Sequence, residues 1–232
     1  MKRILTWITP TGSPHIGNYF GMFLPAVETQ KLDAKRYFFI SDQHTFTSKK
    51  DPEEFRKNLH NTVLDWLAVG IDPEKSVFYR QSDVRAHTEL TWYLNCVCPM
   101  GLLQRAHAYK DKTAKWLEPT VGLFDYPILM AADILLYDID TVPVGKDQKQ
   151  HVEIARDVAG KFNAIYGEVF VLPEADIKED IMVIPGLDGD KMSKSYGNTI
   201  EIFCDRDTLE KKVMSIVTCL LYTSDAADDD RS

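Results

Sequence analysis

The sequence has few of the features that mark secreted or metal-binding proteins. Four of its 232 residues are cysteine, and two of them, Cys96 and Cys98, form a lone Cys-x-Cys pair in an apolar, helix-like stretch. Such a pair is a weak signal for a metal site. Reduced thiols in the core of a cytosolic protein are the favoured interpretation. We expect that no metal ion is bound by the side chains of the protein.

Long hydrophobic runs are also missing. The longest covers residues 126–137, which is too short to span a bilayer, and Asp133 interrupts it. The first apolar stretch is short and is broken by Thr6 and Pro10, unlike a signal peptide. We therefore predict a cytoplasmic protein without membrane contact.

Basic residues are in the minority. The chain has 27 Lys and Arg against 35 Asp and Glu, a formal net charge of -8. A nucleic-acid binder usually carries a basic footprint, so the composition argues mildly against such a partner, although a local basic patch is compatible with this total. The 44% hydrophobic and 27% charged residues are typical of a globular protein with a sizeable core.

Strand-like and helix-like segments alternate along the chain. We predict strands over 2–9, 36–40, 77–79 and 141–144, and helices over about 17–30, 51–70, 83–98, 126–136 and 147–162. This alternation predicts an α/β fold with a parallel, doubly wound sheet. Ligands of such sheets bind beyond the carboxyl ends of the strands, at a switch point. The turn over 10–14 follows the first strand and should lie there.

The helix predicted to begin near residue 51 has the clearest local signals. Asp51 is the expected N-cap, Pro52 fits the first turn, Glu54 would close a capping box, and Gly70 fits the end. Helical spacing predicts a core stripe of Phe55, Leu59, Leu64 and Leu67.

The turn after the first strand has the composition of a phosphate-binding loop. Gly12 and Gly17 permit close approach of the backbone, and a helix beginning near Gly17 offers free N–H groups and a positive dipole end. His15 can donate to a phosphate, and Asn18 adds a neutral donor. In isolation, an ordinary strand-turn-helix junction is the favoured interpretation of these residues.

A second candidate site is the segment Lys191-Met192-Ser193-Lys194-Ser195. Its two lysines suit a pyrophosphate leaving group, whose charge grows as the bond to it breaks. A flexible loop lets such contacts form mainly in the transition state, where they accelerate the reaction. The alternative is a solvated basic turn, which the complete pentapeptide downstream of a His-Ile-Gly turn disfavours.

Asp133 lies in an otherwise apolar helix-like run over 127–136. A buried carboxylate is costly unless it is paired or hydrogen-bonded. Its partner could be an internal Arg or Lys, or the N–H of a flat apolar substrate such as indole. The run by itself favours the salt bridge, but the motifs around it reverse this preference in favour of the substrate donor.

A fourth candidate site is the segment 142–151, which, like the turn over 10–14, follows a predicted strand. Gly145 comes at the end of a short predicted strand. Asp147 could accept from ribose hydroxyls or cap the next helix, and Gln148 could bind a substrate amino group.

Together these motifs resemble the paired HIGH and KMSKS signatures of class I aminoacyl-tRNA synthetases. Five segments look like the bacterial tryptophanyl-tRNA synthetase family: 15–19, 41–44, 130–137, 143–151 and 191–195. The resemblance covers about residues 1–218. It implies activation of L-tryptophan by ATP with Mg²⁺, transfer to tRNA(Trp), and a homodimer.

The resemblance also implies roles for individual residues. The catalytic set is His15, Gly17, Asn18, Lys191, Met192, Ser193, Lys194 and Ser195. The ATP-binding set is Thr9, Pro10, Thr11, Gly12, Gly145, Lys146, Asp147 and Ile181. The tryptophan-binding set is His44, Tyr126, Met130, Asp133 and Gln148. Thr9 stands where many family members carry Gln, which leaves its contact open.

The same resemblance suggests a domain organisation. Residues 1–200 would form the catalytic domain with a helical insertion at about 101–120, and 201–218 would begin a helical anticodon-binding domain. The stretch 219–232 resembles a translated sequencing adapter, and we expect it to lie outside the fold.

Three other functions remain compatible with the sequence. A tyrosyl-tRNA synthetase shares the fold and both motifs, and the phenol of tyrosine could also donate to Asp133. A small nucleotidyltransferase also has a His-x-Gly turn, although the intact second motif argues against it. A non-catalytic RNA-binding protein or an inactive synthetase fragment is the third.

Overall fold

The computed structural model describes residues 1–48, 51–106, 120–145, 149–177 and 184–217. Its centre is a five-stranded sheet in the order β3-β2-β1-β4-β5, with every pairing parallel. The strands are β1 (Lys2–Ile8), β2 (Ala34–Ile40), β3 (Val77–Arg80), β4 (Thr141–Val144) and β5 (Glu174–Ile177). The predicted parallel sheet and its first four strands are confirmed, whereas β5 was not predicted.

Helices connect the strands. They are α1 (Ile16–Asn18), a π-helical segment (Tyr19–Phe23), α2 (Leu24–Thr29), α3 (Asp42–Thr45), α4 (Pro52–Ala68), α5 (Ala86–Val97), α6 (Met100–Gln104), α7 (Val121–Leu135), α8 (Lys149–Tyr166) and α9 (Arg206–Met214). Short 3₁₀ turns cover Gln81–Asp83 and Lys194–Tyr196. None of the helices in the described ranges is long and apolar enough to cross a membrane.

The sheet is covered on both faces, as the doubly wound prediction requires. Neighbouring residues of a strand point to opposite faces, and β2 shows this with Phe38 and Phe39. Phe38 packs with Trp66 of α4 in one core, and Phe39 belongs to the other core with residues of α7 and α8 such as Ile128 and Val158.

Helix α4 begins and ends as predicted. The Asp51 carboxylate accepts from the backbone N–H groups of Glu53 at 2.9 Å and Glu54 at 2.8 Å, which is a side-chain N-cap. Gly70 has a φ of 108°. The backbone bonds from Gly70 to Leu67 and from Ile71 to Trp66 then complete a Schellman ending.

The predicted core stripe of α4 was wrong for two residues. Leu64 and Leu67 are 51% and 41% exposed, whereas Trp66 is fully buried. Leu64 lies nine positions after Phe55, about two and a half helical turns, and so it points to the opposite side. The bulk of Trp66 decides which side faces the sheet.

The strand order reverses between β1 and β4, which makes this the switch point of the sheet. The two strands meet at Ile4 and Thr141. Two residues further along, Pro143 has no N–H with which to extend the ladder. The carboxyl ends of β1 and β4 therefore leave room between them, where the turn over 10–14 and Gly145 emerge.

Several predictions fall wholly or partly outside the described residues. The predicted insertion at 101–120 is described only at its two ends, where α6 and Thr120, the N-cap of α7, lie. The stretch 219–232 is outside as well.

Candidate active site at the switch point

The turn after β1 places His15 as the N-cap of α1. The Oδ1 of Asn18 accepts from the backbone N–H of His15 at 3.1 Å. This bond fixes the Asn18 amide so that its NH₂ group remains available as a donor. Gly12 has a φ of 110°, a conformation that L side chains rarely adopt, which explains glycine at that turn.

The two predicted motifs meet in space. A Cβ added to Gly17 would lie 3.0 Å from ring atoms of His15 and 3.7 Å from the Cβ of Met192. The Nζ of Lys194 donates to the carbonyl oxygen of Gly12 at 3.0 Å. The chain thus brings a lysine of the second motif to the rim of the glycine turn, across 182 residues of sequence.

Asn198 holds the second motif in shape. It is 4% exposed; its Oδ1 accepts from the Ser193 N–H at 2.8 Å, and its Nδ2 donates to Asp188 at 2.7 Å and to the Lys191 carbonyl at 3.3 Å. The hydroxyls of Ser193 and Ser195 are 2.8 Å apart. Sequence reasoning missed Asn198, although its place just after a Gly was a turn signal.

A short extended segment joins the second motif to the first. The Ile16 N–H donates to the Ile200 carbonyl at 2.9 Å, and the Ile202 N–H donates to the Pro14 carbonyl at 3.1 Å. Helix α9 supports this segment, because Lys212 donates to a carboxylate oxygen of Glu201 at 2.6 Å. The two neighbours of His15 in the chain, Pro14 and Ile16, are therefore both hydrogen-bonded to this segment.

The surroundings of His15 favour its neutral form. Burial lowers the pKa of His15, and the nearby Lys194 lowers it further, while Glu201 opposes the shift. A neutral imidazole still has one N–H with which to hold a phosphate oxygen.

A second group of predicted residues lies on α7. Tyr126, Met130 and Asp133 are spaced by four and three residues, so they share one face of the helix. Met130 is 5% exposed and Asp133 is 1% exposed. The three side chains form one wall near the carboxyl ends of β2 and β3, from which α3 and Gln81 follow.

The partners of Asp133 differ from the Arg or Lys that the apolar run by itself favours. Neither an Arg nor a Lys is among its hydrogen-bond partners in the described ranges. The Oδ2 contacts His44 Nε2 at 2.9 Å, and the Oδ1 contacts His87 Nδ1 at 2.6 Å and Gln81 Nε2 at 2.8 Å. His44 was predicted at this site, whereas His87 and Gln81 were missed.

These contacts keep Asp133 ionised. Burial raises the pKa of Asp133, but hydrogen bonds from His44 and His87 outweigh burial, and the pKa lies below its ordinary value. A buried carboxylate of this kind is a strong acceptor with a fixed direction.

Tyr126 completes the wall. Its hydroxyl is 2.7 Å from His151 Nε2, and its ring stands edge-on to that of His44 with 6.2 Å between centroids. Burial raises the pKa of Tyr126 to about 12, so the hydroxyl keeps its proton at neutral pH.

A cavity of about 400 Å³ adjoins the switch point. Its lining includes Gly21 and Met22 of the π-helical segment and Pro143, Val144 and Gly145 at the end of β4. Thr9 lies at the end of β1, with its hydroxyl 2.9 Å from that of Ser41. Pro10 is buried beside it, whereas Thr11 is exposed.

The structure brings predicted site residues together in two groups. Gly12 and Gly17 of the first motif lie against Lys194 and Met192 of the second, and His44 contacts Tyr126 and Asp133. Four predicted residues lie outside the described residues: Lys146, Asp147, Gln148 and Ile181. Within the described ranges, no cluster of three or more His, Cys, Asp or Glu side chains could hold a metal ion.

Comparisons with known proteins first give the class. The chain matches the family described as tRNA synthetases class I (W and Y) over residues 1–220. It is 54% identical over 219 residues to the tryptophan--tRNA ligase of Fusobacterium nucleatum, covering 94% of this chain and 67% of that protein. It is 52% identical over 226 residues to the Campylobacter jejuni enzyme, covering 97% and 70%.

A solved structure gives the same result. The C. jejuni tryptophanyl-tRNA synthetase complexed with ADP and tryptophan matches with a TM-score of 0.90 and 54% identity, covering 93% of this chain and 67% of that one. A tyrosyl-tRNA synthetase from Archaeoglobus fulgidus shares the fold, with a TM-score of 0.71 at 20% identity. The chain belongs to the tryptophanyl-tRNA synthetase family.

Proposed function

We propose that this chain activates L-tryptophan with ATP, forms tryptophanyl-adenylate and pyrophosphate, and passes the tryptophanyl group to tRNA(Trp). The observation that carries the proposal is the contact of the two motifs at the switch point, with Lys194 on Gly12 at 3.0 Å. The relatives that are 54% and 52% identical are tryptophan--tRNA ligases, which supports it.

On the ATP side, the chain supplies donors rather than a nucleophile. The tryptophan carboxylate attacks the α-phosphorus, the bond to the bridging oxygen breaks, and pyrophosphate leaves with the electron pair. His15 and the Asn18 amide would hold phosphate oxygens from one side, and Lys191 and Lys194 would neutralise the leaving group from the other. Positioning and charge stabilisation then carry the catalysis.

We place the nucleoside near the end of β4. Gly145 and the adjoining 400 Å³ cavity, which is lined on its other side by Gly21, Met22 and α2, would give it a recess. Mg²⁺ would be held mainly through ATP phosphates, because this ion usually keeps several waters and takes few protein ligands. It would neutralise phosphate charge while the lysines bind the leaving group.

On the tryptophan side, Asp133 would accept the indole N–H. Its low pKa keeps it a pure acceptor, and Met130 and the Tyr126 ring line the same wall. A site built around a substrate N–H can reject analogues without it by roughly 10⁴–10⁵. Phenylalanine has no such donor.

The wider assembly is also a proposal. A homodimer, a cytoplasmic location and a helical anticodon-binding domain beginning near residue 201 follow the family pattern. Light scattering on the purified chain measures the dimer directly.

The test of the activity is pyrophosphate exchange into ATP, followed separately with tryptophan and with tyrosine. We expect exchange that requires tryptophan and is at background with tyrosine. Exchange driven by tyrosine would favour the tyrosyl enzyme, and no exchange with either would remove the proposed function.

A further inference from the structure

The hydrogen bonds of Asp133 are divided unequally between its two oxygens. Oδ1 is 2.6 Å from His87 Nδ1 and 2.8 Å from Gln81 Nε2, whereas Oδ2 is 2.9 Å from His44 Nε2. A carboxylate has about four acceptor sites, two on each oxygen. Both directions of Oδ1 are taken, and Oδ2 keeps one direction that no described residue fills.

The two oxygens also face different surroundings. Gln81 and His87 are 0% exposed, so Oδ1 is directed into the closed core. The His44 side chain on Oδ2 is 13% exposed, and its ring meets the edge of Tyr126. The open acceptor direction therefore belongs to the oxygen on the accessible side.

His87 is itself held in one orientation. Its Nε2 is 3.0 Å from the Tyr137 hydroxyl, and its ring centroid lies 5.9 Å from those of Phe39 and Tyr79. Because an ionised carboxylate can only accept a hydrogen bond, Nδ1 of His87 must carry a proton and donate it to Asp133. In the neutral imidazole, Nε2 then accepts from the Tyr137 hydroxyl.

We propose that His87 is a positioning residue for amino-acid selection: its Nδ1–H, with the Gln81 amide, occupies Oδ1 of Asp133 and thereby turns Oδ2 toward the indole N–H. This inference rests on the function proposed above. His87 has no contact with the substrate, and it acts only through the orientation and charge of Asp133.

Two variants separate this role from packing. In His87→Asn the amide nitrogen can replace the Nδ1 donor, although the side chain is smaller. In His87→Leu the donor is lost while more of the volume is kept. His60→Asn, an exposed histidine on α4, is the matched control.

The readout is discrimination between tryptophan and β-(3-benzothienyl)-L-alanine, in which sulfur replaces the indole N–H. The ratio of kcat/KM values is measured by pyrophosphate exchange and the ratio of Kd values by calorimetry. We expect His87→Leu to lower both ratios by about tenfold or more, and His87→Asn to stay within about threefold of the parent. If His87 only fills space, discrimination should fall more in His87→Asn than in His87→Leu, because Asn leaves the larger void. That result, or equal ratios in all variants, would overturn the proposal.

A second measurement does not depend on turnover. ¹⁵N-histidine NMR of the full chain, with His87→Asn for assignment, reports which ring nitrogen carries the proton. A protonated Nδ1 on His87 is expected, and an Nε2–H tautomer would refute the proposal. If exchange is absent while the Kd ratios and the tautomer follow expectation, the catalytic function fails and the positioning role stands.

Discussion

At the scale of single residues, Asp133 combines two properties that rarely occur together. It is 1% exposed, yet its pKa lies below the ordinary value because His44 and His87 donate to it and outweigh burial. An uncompensated buried charge would cost several kcal/mol. The network therefore keeps a buried acceptor ionised.

Asp133→Ala removes the acceptor. We expect kcat/KM for tryptophan in pyrophosphate exchange to fall about 100-fold, which corresponds to about 3 kcal/mol for a hydrogen bond to a charged group. Asp157→Ala, an exposed aspartate on α8, should leave exchange unchanged. Normal kinetics in Asp133→Ala would rule out the assigned contact.

His15 predicts a pH dependence of stability. Its pKa is lowered in the folded chain, so the unfolded chain binds the proton more readily as the pH falls through about 6.5. The stability that depends on neutral His15 is fully present above this pH and is lost below it. In urea titrations at several pH values, His15→Gln should lose less free energy of unfolding below pH ~6.5 than the parent. Identical pH profiles would contradict the burial argument.

At the scale of elements, the loop over 185–198 depends on a close backbone approach. A Cβ on Gly186 would lie 2.8 Å from the Asn198 carbonyl oxygen and would also collide with its Nδ2. Asn198 is the side chain that shapes the second motif. The glycine therefore permits the packing that holds Met192 against the turn of the first motif.

Gly186→Ala should displace Asn198. We expect a loss of about 1–3 kcal/mol in the free energy of unfolding and a fall in the kcat of exchange. The matched control is Gly160→Ala in α8, where an added Cβ has nothing within 4 Å; helix propensity predicts a gain of up to about 1 kcal/mol there. Equal stability of the two variants would contradict this account of the loop.

Sequence reasoning identified elements whose signals are local. The alternation gave the parallel sheet, and Asp51 with Gly70 marked the ends of α4. It missed β5, whose four residues Glu174–Ile177 lack an apolar run. It also missed Gln81 and His87, which reach Asp133 across 52 and 46 residues, because no local pattern links a helix residue to an acid on another helix.

At the scale of the whole molecule, the site is assembled from most of the sheet. Loops after β1, β2, β3 and β4 converge at one edge, and the segment over 184–202 packs onto the turn that carries His15. The chain spans 67% and 70% of the two relatives compared by sequence. The described part contains both motifs and the Asp133 wall.

Two ligands that bind across these loops at the same time should stabilise the fold more than either does alone. At 100 times Kd, a ligand that binds only the folded state adds about 2.7 kcal/mol. We expect tryptophan with a non-hydrolysable ATP analogue to raise the Tm by several degrees, more than either ligand alone. Tyrosine in place of tryptophan is the control, and no shift with any ligand would indicate an inactive fragment.

The most direct measurement of the central claim is capture of the intermediate. The chain is incubated with ATP, Mg²⁺ and labelled tryptophan in the absence of tRNA, and the protein-bound label is recovered by gel filtration. The account predicts tryptophanyl-adenylate and released pyrophosphate in matching amounts, and none with labelled tyrosine. Tryptophan bound without release of pyrophosphate, or equal yields with tyrosine, would contradict it.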